Sequence, residues 1–332
     1  MGEESVNWQG KHVLVTGAGG FIGSHLAERL VAMGARTRAF VHYNAMGSRG
    51  WLDESPLSRD MEVVAGDLCD HDSVARAVKG ADVVFHLGAL IAIPYSYEAP
   101  ESYVRTNIGG TLNVLRCARD LGVSRLVHTS TSEVYGTARY VPIDENHPLQ
   151  GQSPYSASKI GADKMVESFH ASFGLPAVIL RPFNTFGPRQ SARAVIPTII
   201  AQCLAGDRVR LGNLHPTRDF NYVDNTVDGF VLAATSPAAV GRTIHLGTGR
   251  DTSIGDLCRV IAGLCGRAVV IEGEAQRVRP PASEVERLVA DASLARELLG
   301  WEPKIDLHEG LTRCVDWMRR NLSRYRPDMY TR

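Results

Sequence analysis

His12-Val13-Leu14-Val15-Thr16-Gly17-Ala18-Gly19-Gly20-Phe21-Ile22-Gly23 sets the architecture of this 332-residue chain. Its first five residues are a short, β-branched-rich run of the kind that forms a buried strand. A helical pattern follows from Ser24 to Met33 and is closed by Gly34. Strand, glycine turn and helix in this order make a turn able to receive a dinucleotide pyrophosphate. Gly17 permits the tight turn, Gly20 lets backbone approach the phosphates, and Gly23 lets the helix pack on the strand. The helix N-terminus then faces the phosphates. Gly17, Gly20, Phe21, Ile22 and Gly23 are thus the first cofactor-binding positions, in the spacing G-x-x-G-x-x-G rather than G-x-G-x-x-G.

Working outward, β-type and α-type runs alternate. Strands are expected at Thr37 to Tyr43, Met61 to Leu68, Asp82 to Leu87, Arg125 to Thr129 and Ala177 to Arg181. Helices are expected at Asp72 to Lys79, Ser102 to Leu121 and from Pro154 to Phe173. This predicts a Rossmann-type α/β fold, a doubly wound parallel sheet, with a smaller mixed α/β substrate-binding part. The expected division is residues 1–185 for the dinucleotide part, with a later return around 219–248, and residues 186–332 mainly for substrate. In the second half helices are read at Val195 to Leu204, Asp256 to Cys265, Ser293 to Leu299 and Leu307 to Leu322.

Where the second strand should meet the adenosine ribose, the chain has Val41-His42-Tyr43-Asn44 and no carboxylate. An acid there would select NAD. Neither Arg38 nor Arg49 is placed for a 2′-phosphate, so the residues themselves leave NAD or NADP open. Asp67 is positioned either for the adenine edge or as a turn aspartate. Gly88 and Ala89 are small enough to let a cofactor lie close, and His86 reads as a satisfied core histidine. Leu90 to Tyr97 reads as an apolar loop bordering the ligand crevice.

Composition narrows the function. Apolar residues make up 44% and charged residues 22%, and Lys+Arg and Asp+Glu both number 36, so a nucleic-acid partner is not expected. No apolar run is long enough for a bilayer. The residues Met1 to Val6 lack a signal pattern. The 6 cysteines form no C-x-x-C pair, which predicts free thiols, no metal site and a cytoplasmic setting.

A second stretch carries the chemistry. In Ser153-Pro154-Tyr155-Ser156-Ala157-Ser158-Lys159, Ser153 is an N-cap and Pro154 opens a helix. Tyr155 and Lys159 then project from one face, a turn apart. An ammonium beside a phenol favours the phenolate, which makes Tyr155 a candidate general base. Ser130 to Gly136, with Thr131, Ser132 and Glu133, follows the fifth strand at the same edge as the glycine turn. Arg189, Arg218, Arg277 and Arg279 are the cations of the second half suited to a phosphate.

Taken together these residues resemble the extended short-chain dehydrogenase/reductases of the nucleotide-sugar epimerase/dehydratase group. The carriers are Gly17-x-x-Gly20-x-x-Gly23, Gly66-Asp67-Leu68, Thr106-Asn107-x-x-Gly110-Thr111, Thr131, Tyr155-x-x-x-Lys159, Arg181-Pro182-x-Asn184 and Trp301-x-Pro303 to Leu311. Within that group the chain is similar to NDP-sugar 4,6-dehydratases. The narrower likeness is to the UDP- or GDP-N-acetylglucosamine 4,6-dehydratases of legionaminic-acid-type pathways that retain configuration at C5. Ile93 to Tyr97, Ser130 to Gly136, Pro154 to Lys159 and Gly187 to Arg193 carry it. The resemblance implies a tightly bound NAD (NADP is not excluded), held by the glycine turn with Asp67, Leu68, Leu87, Ala89, Tyr155, Lys159 and Pro182. It implies Thr131, Tyr155 and Lys159 as the hydride-transfer triad and Glu133 as the C5 base. Asn184, Arg189, Arg218 and Arg279 would hold the nucleotide sugar, and a homodimer would form through helices 102–121 and 155–173.

One departure bears on the reaction. The dTDP-glucose 4,6-dehydratases carry Thr-Asp-Glu where this chain has Thr131-Ser132-Glu133, so the acid for the C6 hydroxyl falls to Ser132, an ordered water or protonated Glu133. Ser132 is the weaker acid, which favours Glu133 for both proton transfers. GDP-mannose 4,6-dehydratases and UDP-glucuronate decarboxylases share Thr-Ser-Glu, so the triplet alone does not fix the reaction. The rival readings are a 4-epimerase, a UDP-glucuronate decarboxylase and a catalytically silent cofactor-sensing protein.

Overall fold

The structure, a computed structural model, describes residues 8–330. The expectation for Met1 to Val6 lies outside them. The first half alternates strand and helix: β1 (His12–Thr16), α1 (Phe21–Ala32), β2 (Arg36–His42), β3 (Met61–Gly66), α2 (His71–Val78) and β4 (Val83–His86). Then come α3 (Ile93–Glu98), α4 (Pro100–Tyr103), a π-helical stretch Val104–Gly109, α5 (Gly110–Asp120), β5 (Arg125–Thr129), α6 (Pro154–Phe173) and β6 (Ala177–Pro182). The second half adds β7 (Thr185–Phe186), α7 (Val195–Ala205), β8 (Arg208–Leu211), β9 (Thr217–Arg218), β10 (Asn221–Tyr222) and α8 (Val223–Thr235). It ends with β11 (Thr243–Leu246), β12 (Thr252–Ser253), α9 (Ile254–Cys265), β13 (Val270–Gly273), β14 (Arg287–Leu288), α10 (Ser293–Leu299) and α11 (Leu307–Asn321).

Seven strands form one sheet in the order β3-β2-β1-β4-β5-β6-β11, and every pairing in it is parallel. A parallel sheet is covered on both faces, so its strands are apolar on both sides. Val13 and Val15 join Leu26, Ala27 and Leu30 of α1 and Val227 and Phe230 of α8 in one core. Leu14 faces the opposite core, with Val74 of α2, Leu115 of α5 and Val166 of α6. The strand order reverses beside β1, which opens a crevice at the carboxyl ends of β1 and β4.

Local chemistry explains most element ends. Gly20, at φ −82 and ψ −177, is the N-cap of α1, so that helix begins at Phe21, earlier than the expected Ser24. The Asp70 side chain caps α2 through the amides of Asp72 and Ser73. At α6 the Ser153 side chain accepts from the Ser156 amide, and Ser156 reciprocates in a capping box, with Pro154 in the first turn. One expectation is corrected: Leu90 to Tyr97 is not all loop, because α3 forms at Ile93 with Pro94 in its first turn. That short helix buries Ile93 against Tyr103 and Tyr155.

The second half is built from short pairings. β9 lies between β12 and β14, β8 pairs with β13, and β7 pairs with β10. A small core of Val134, Tyr135, Ile143, Phe183, Val285 and Leu288 ties residues 284–290 back to the loop after β5. Asp219 locks the same region. It is fully buried and accepts from the amides of Thr248 (2.8 Å), Gly249 (2.9 Å) and Ala290 (3.2 Å). Among the described residues no helix is long and apolar enough to cross a membrane, no group of metal-ligating side chains is found, and all 6 cysteines are free.

Candidate active site

The glycine turn is a cradle in which added side chains would not fit. A Cβ on Gly23 would meet the Gly17 carbonyl oxygen at 2.2 Å, and one on Gly17 would meet Gly88 backbone at 2.9 Å. Gly17 is also left-handed, at φ +71. No side chain caps the N-terminus of α1, so its first amides are open to an anion. These are the features a pyrophosphate needs, and the residues present fit a dinucleotide. Leu68 packs beside Gly88, within 2.7 Å of where a Cβ would stand. Asp67 is exposed and its Oδ1 accepts from the Cys69 amide at 2.9 Å, so the turn-aspartate role is realised here.

Three residues outside the expected list shape this floor. The Thr16 hydroxyl accepts from the amides of Leu87 (3.1 Å) and Gly88 (3.0 Å), leaving its proton for His86 Nδ1 at 2.8 Å. His86 must then donate through Nε2 to Thr111 at 3.0 Å, so it is neutral and satisfied, as its place in the strand predicts. Burial depresses its pKa well below the ordinary value. Asn107 pairs with both backbone groups of Leu90, at 2.8 and 3.0 Å, and donates to Ser158 at 2.9 Å. Sequence reasoning assigned Asn107 only to close packing; a buried amide beside a sheet crevice is the signal that could have given it this clamping role.

The chemistry-bearing groups converge above the floor. Thr131 caps the short turn Ser132–Tyr135 by accepting from the Glu133 amide at 3.2 Å. Successive residues of this turn split their directions: Ser132 and Tyr135 are buried, while Thr131 and Glu133 stay partly open. Tyr155 sits in the first turn of α6, edge-on to Tyr103 with ring centroids 6.3 Å apart. Lys159, one turn on, donates from Nζ to the Thr129 carbonyl at 2.6 Å.

The expected low pKa of Tyr155 is corrected. Burial pushes the phenol up, and the nearby Glu133 and Asp163 carboxylates push it further; a hydrogen bond with Thr131 opposes them. Lys159 contributes no lowering, because its own ammonium is strained by burial to about 8 and is aimed at Thr129. A phenolate here needs positive charge that the protein interior alone does not supply.

The arginines divide. Arg218 is buried and donates to the Thr217 carbonyl at 2.9 Å, with Glu284 at 3.7 Å. Arg279 Nη1 stands 3.8 Å from the Glu133 carboxylate, too far for a hydrogen bond, and has no partner. Asn184 Oδ1 is likewise buried without a partner. These orphaned atoms mark a place for a ligand. Arg189 is placed elsewhere: it forks onto Glu28 at 3.0 Å through both terminal nitrogens. Arg277 pairs with Glu274 and lies over the Tyr330 ring at 4.8 Å. The structure therefore gathers Thr131, Glu133, Tyr155, Lys159, Arg218 and Arg279 on one side of the crevice and leaves Arg189 and Arg277 in ion pairs of their own.

Comparison with known proteins gives a consistent result. The family model described as GDP-mannose 4,6 dehydratase matches residues 14–314. A UDP-glucose 4-epimerase of Mycolicibacterium smegmatis is 34% identical over 92% of this chain and 98% of its own. A dTDP-glucose 4,6-dehydratase of Streptomyces antibioticus is 32% identical over 95% of both chains. Among solved structures, the dTDP-glucose 4,6-dehydratase DesIV of Streptomyces venezuelae, which has NAD bound, superposes with a TM-score of 0.86 at 29% identity, covering 95% of this chain and 99% of that one. Sheet order, glycine cradle and the Tyr155–Lys159 helix agree with that match over nearly the whole length, and the chain belongs to the GDP-mannose 4,6-dehydratase family, within the nucleotide-sugar dehydratases and epimerases of the extended short-chain dehydrogenase/reductase type.

Proposed function

We propose that this protein is a nucleotide-sugar 4,6-dehydratase that converts UDP- or GDP-N-acetylglucosamine into the 4-keto-6-deoxy sugar. The observation that carries the reading is Glu133, whose carboxylate stands beside Arg279 and close enough to Tyr155 to perturb its phenol. An epimerase needs a base at the C4 hydroxyl and room for the sugar to rotate; it gives a second group, the Glu133 carboxylate, nothing to do. The N-acetylglucosamine assignment is supported by the sequence likeness of residues 93–97, 130–136, 154–159 and 187–193.

The glycine turn, Gly17 to Gly23, would hold a nicotinamide dinucleotide, NAD in the reading preferred here, which would supply an acceptor for the C4 hydride and a donor of it to C6. The chain's own residues manage the protons. Tyr155 removes the C4 hydroxyl proton, with Thr131 beside the phenol and Lys159 one helical turn on. Glu133 takes the C5 proton, made acidic by the 4-keto group. It then returns that proton to the C6 hydroxyl, which leaves as water, since Ser132 is buried and a weak acid. The proton held by Tyr155 passes to C5 as hydride adds at C6, which restores both groups. Asn184, Arg218 and Arg279 hold the diphosphate. Residues 186–332 bind mainly the sugar nucleotide, and α5 and α6 pair with a second copy of the chain; exposed Val104, Leu121 and Phe173 on this side support the pairing.

The test is incubation with a panel of UDP-, GDP- and dTDP-sugars labelled with deuterium at C4. Loss of one water with the label recovered at C6 is expected for an N-acetylglucosamine nucleotide. An epimer of unchanged mass would overturn the dehydratase reading in favour of a 4-epimerase.

A further inference from the structure

Tyr155, Lys159 and Asp163 follow one another at four-residue spacing along α6, so they occupy successive turns of one face. All three are buried. The first two are the expected hydride-transfer groups; the third belongs to no role assigned above. Asp163 is fully buried, and its Oδ2 accepts from Ser130 Oγ at 2.6 Å and from Arg181 Nη2 at 3.0 Å and Nε at 3.3 Å. Its Oδ1 lies 3.3 Å from His128 Nε2, in an orientation that makes no good hydrogen bond. Arg181 continues the network by donating to the Tyr135 hydroxyl at 2.6 Å, which in turn meets His245 Nε2 at 2.5 Å.

We propose that Asp163 is a positioning residue for hydride transfer: its carboxylate keeps Lys159 an ammonium inside the fold and, through Ser130, ties the strand end bearing Thr131 to the helix bearing Tyr155. The inference rests on the reading of Tyr155 and Lys159 as hydride-transfer groups. A buried ammonium with one carbonyl partner tends to shed its proton unless a counter-charge is near. The groups around Lys159 leave a single fully buried candidate. On α6 itself stand Tyr155 and Asp163, on β4 His86, on β5 His128, on the following turn Glu133 and Tyr135, on β6 Arg181, and at the end of α4 Tyr103. His86 and His128 are held neutral by burial, and Arg181 is a cation. Glu133 lies on the ligand side, its side chain 12% exposed and facing Arg279. Asp163 stays ionised, its carboxyl held down near 2 chiefly by Arg181 and Lys159 despite its burial, and it raises the affinity of Lys159 for its proton.

The chain makes the test tractable, because Lys159 is the one buried lysine among only five. NMR of protein labelled at the lysine side chain reads its charge directly, with no substrate and no turnover. In the unaltered protein Lys159 is expected to titrate near 8, and in Asp163→Asn its midpoint is expected to fall by about one pH unit or more. The alkaline limb of reduced-cofactor formation should move down by the same amount, and Asp163→Glu should restore both. An Asp163→Asn protein with an unmoved Lys159 midpoint and a uniformly lower rate would reduce Asp163 to a structural residue and overturn the proposal. If Asp163→Asn does not fold, the unaltered protein decides: a Lys159 already neutral at neutral pH overturns it, and an ammonium there sustains it. Failure of the hydride reading is distinguishable, since it shows as bound cofactor and nucleotide sugar with no reduced cofactor, whatever the lysine titration.

Discussion

Lys159 Nζ and Asp163 Oδ2 reach hydrogen-bond partners inside the protein, whereas Arg279 Nη1 and Asn184 Oδ1 reach none. The first pair belongs to the side of the site that handles hydride; the second belongs to the side expected to hold the sugar nucleotide. Buried polar atoms cost about 1–3 kcal/mol each when left unpaired. A protein tolerates that cost where a ligand supplies the missing partner. The hydride side is thus largely set before anything binds, with Asp163 Oδ1 and the His128 nitrogens left over, and the substrate side is completed by what binds.

Tyr155→Phe should produce the largest change if that division holds. Removing the phenol should slow reduced-cofactor formation on the order of 10²–10⁴-fold, read by absorbance on mixing with substrate, while the fold and cofactor binding persist. Glu133→Gln comes next and separates the two sides. Loss of water should fall by a similar factor, on the order of 10²–10⁴-fold, yet the first hydride transfer should survive, leaving a 4-keto hexose and reduced cofactor. Near-normal dehydration in that variant breaks the comparison, because Glu133 is the carboxylate placed against Tyr155. Arg279→Gln is smaller: loss of one charge-assisted bond, about 1.5–3 kcal/mol, should raise KM for the nucleotide sugar and leave kcat nearly unchanged.

The mildest test uses acid. His128 and His245 are held neutral by burial, with folded pKa values near 4 and 3, below the ordinary 6.5. The unfolded chain therefore takes up protons first. Their stability contribution is whole above about pH 6.5 and is lost at roughly 1.4 kcal/mol per group per pH unit as pH falls toward the folded values. Asp163, with its carboxyl near 2, offers no compensation in that window. A Tm that stays flat from neutrality down to about pH 5 would show that these histidines are already charged in the fold.

The half of the molecule with regular alternation was legible. The strand at His12, the glycine turn, the capped helix at Pro154 and the strands at Arg125 and Ala177 all report themselves through period and punctuation. What escaped was set by contacts distant in sequence. Arg189 looked as suitable for phosphate as Arg218 until α1 supplied Glu28, 161 residues away. The charge state of Tyr155 could not be read from a spacing of four, since burial outweighs a lysine that points elsewhere. Asp163 was invisible for the same reason: its meaning comes from Ser130, just past the end of β5, and Arg181 on β6. Two-residue strands such as β9 leave no periodic trace at all.

The edge strand β11 has a bearing on how the protein assembles itself. It pairs with β6 through Thr243 and Ile179, so the chain makes a long excursion over residues 183–242 before its last sheet strand is in place. Closing a loop of this size carries an entropic cost of about 4 kcal/mol. The same strand delivers His245 to Tyr135, the far end of the network that holds Asp163. During synthesis, then, the groups that move hydride cannot reach their final order until the region that will receive the sugar has itself folded. A molecule stalled short of that point can bury its first core and hold its glycine turn, but it is not yet armed to oxidise anything.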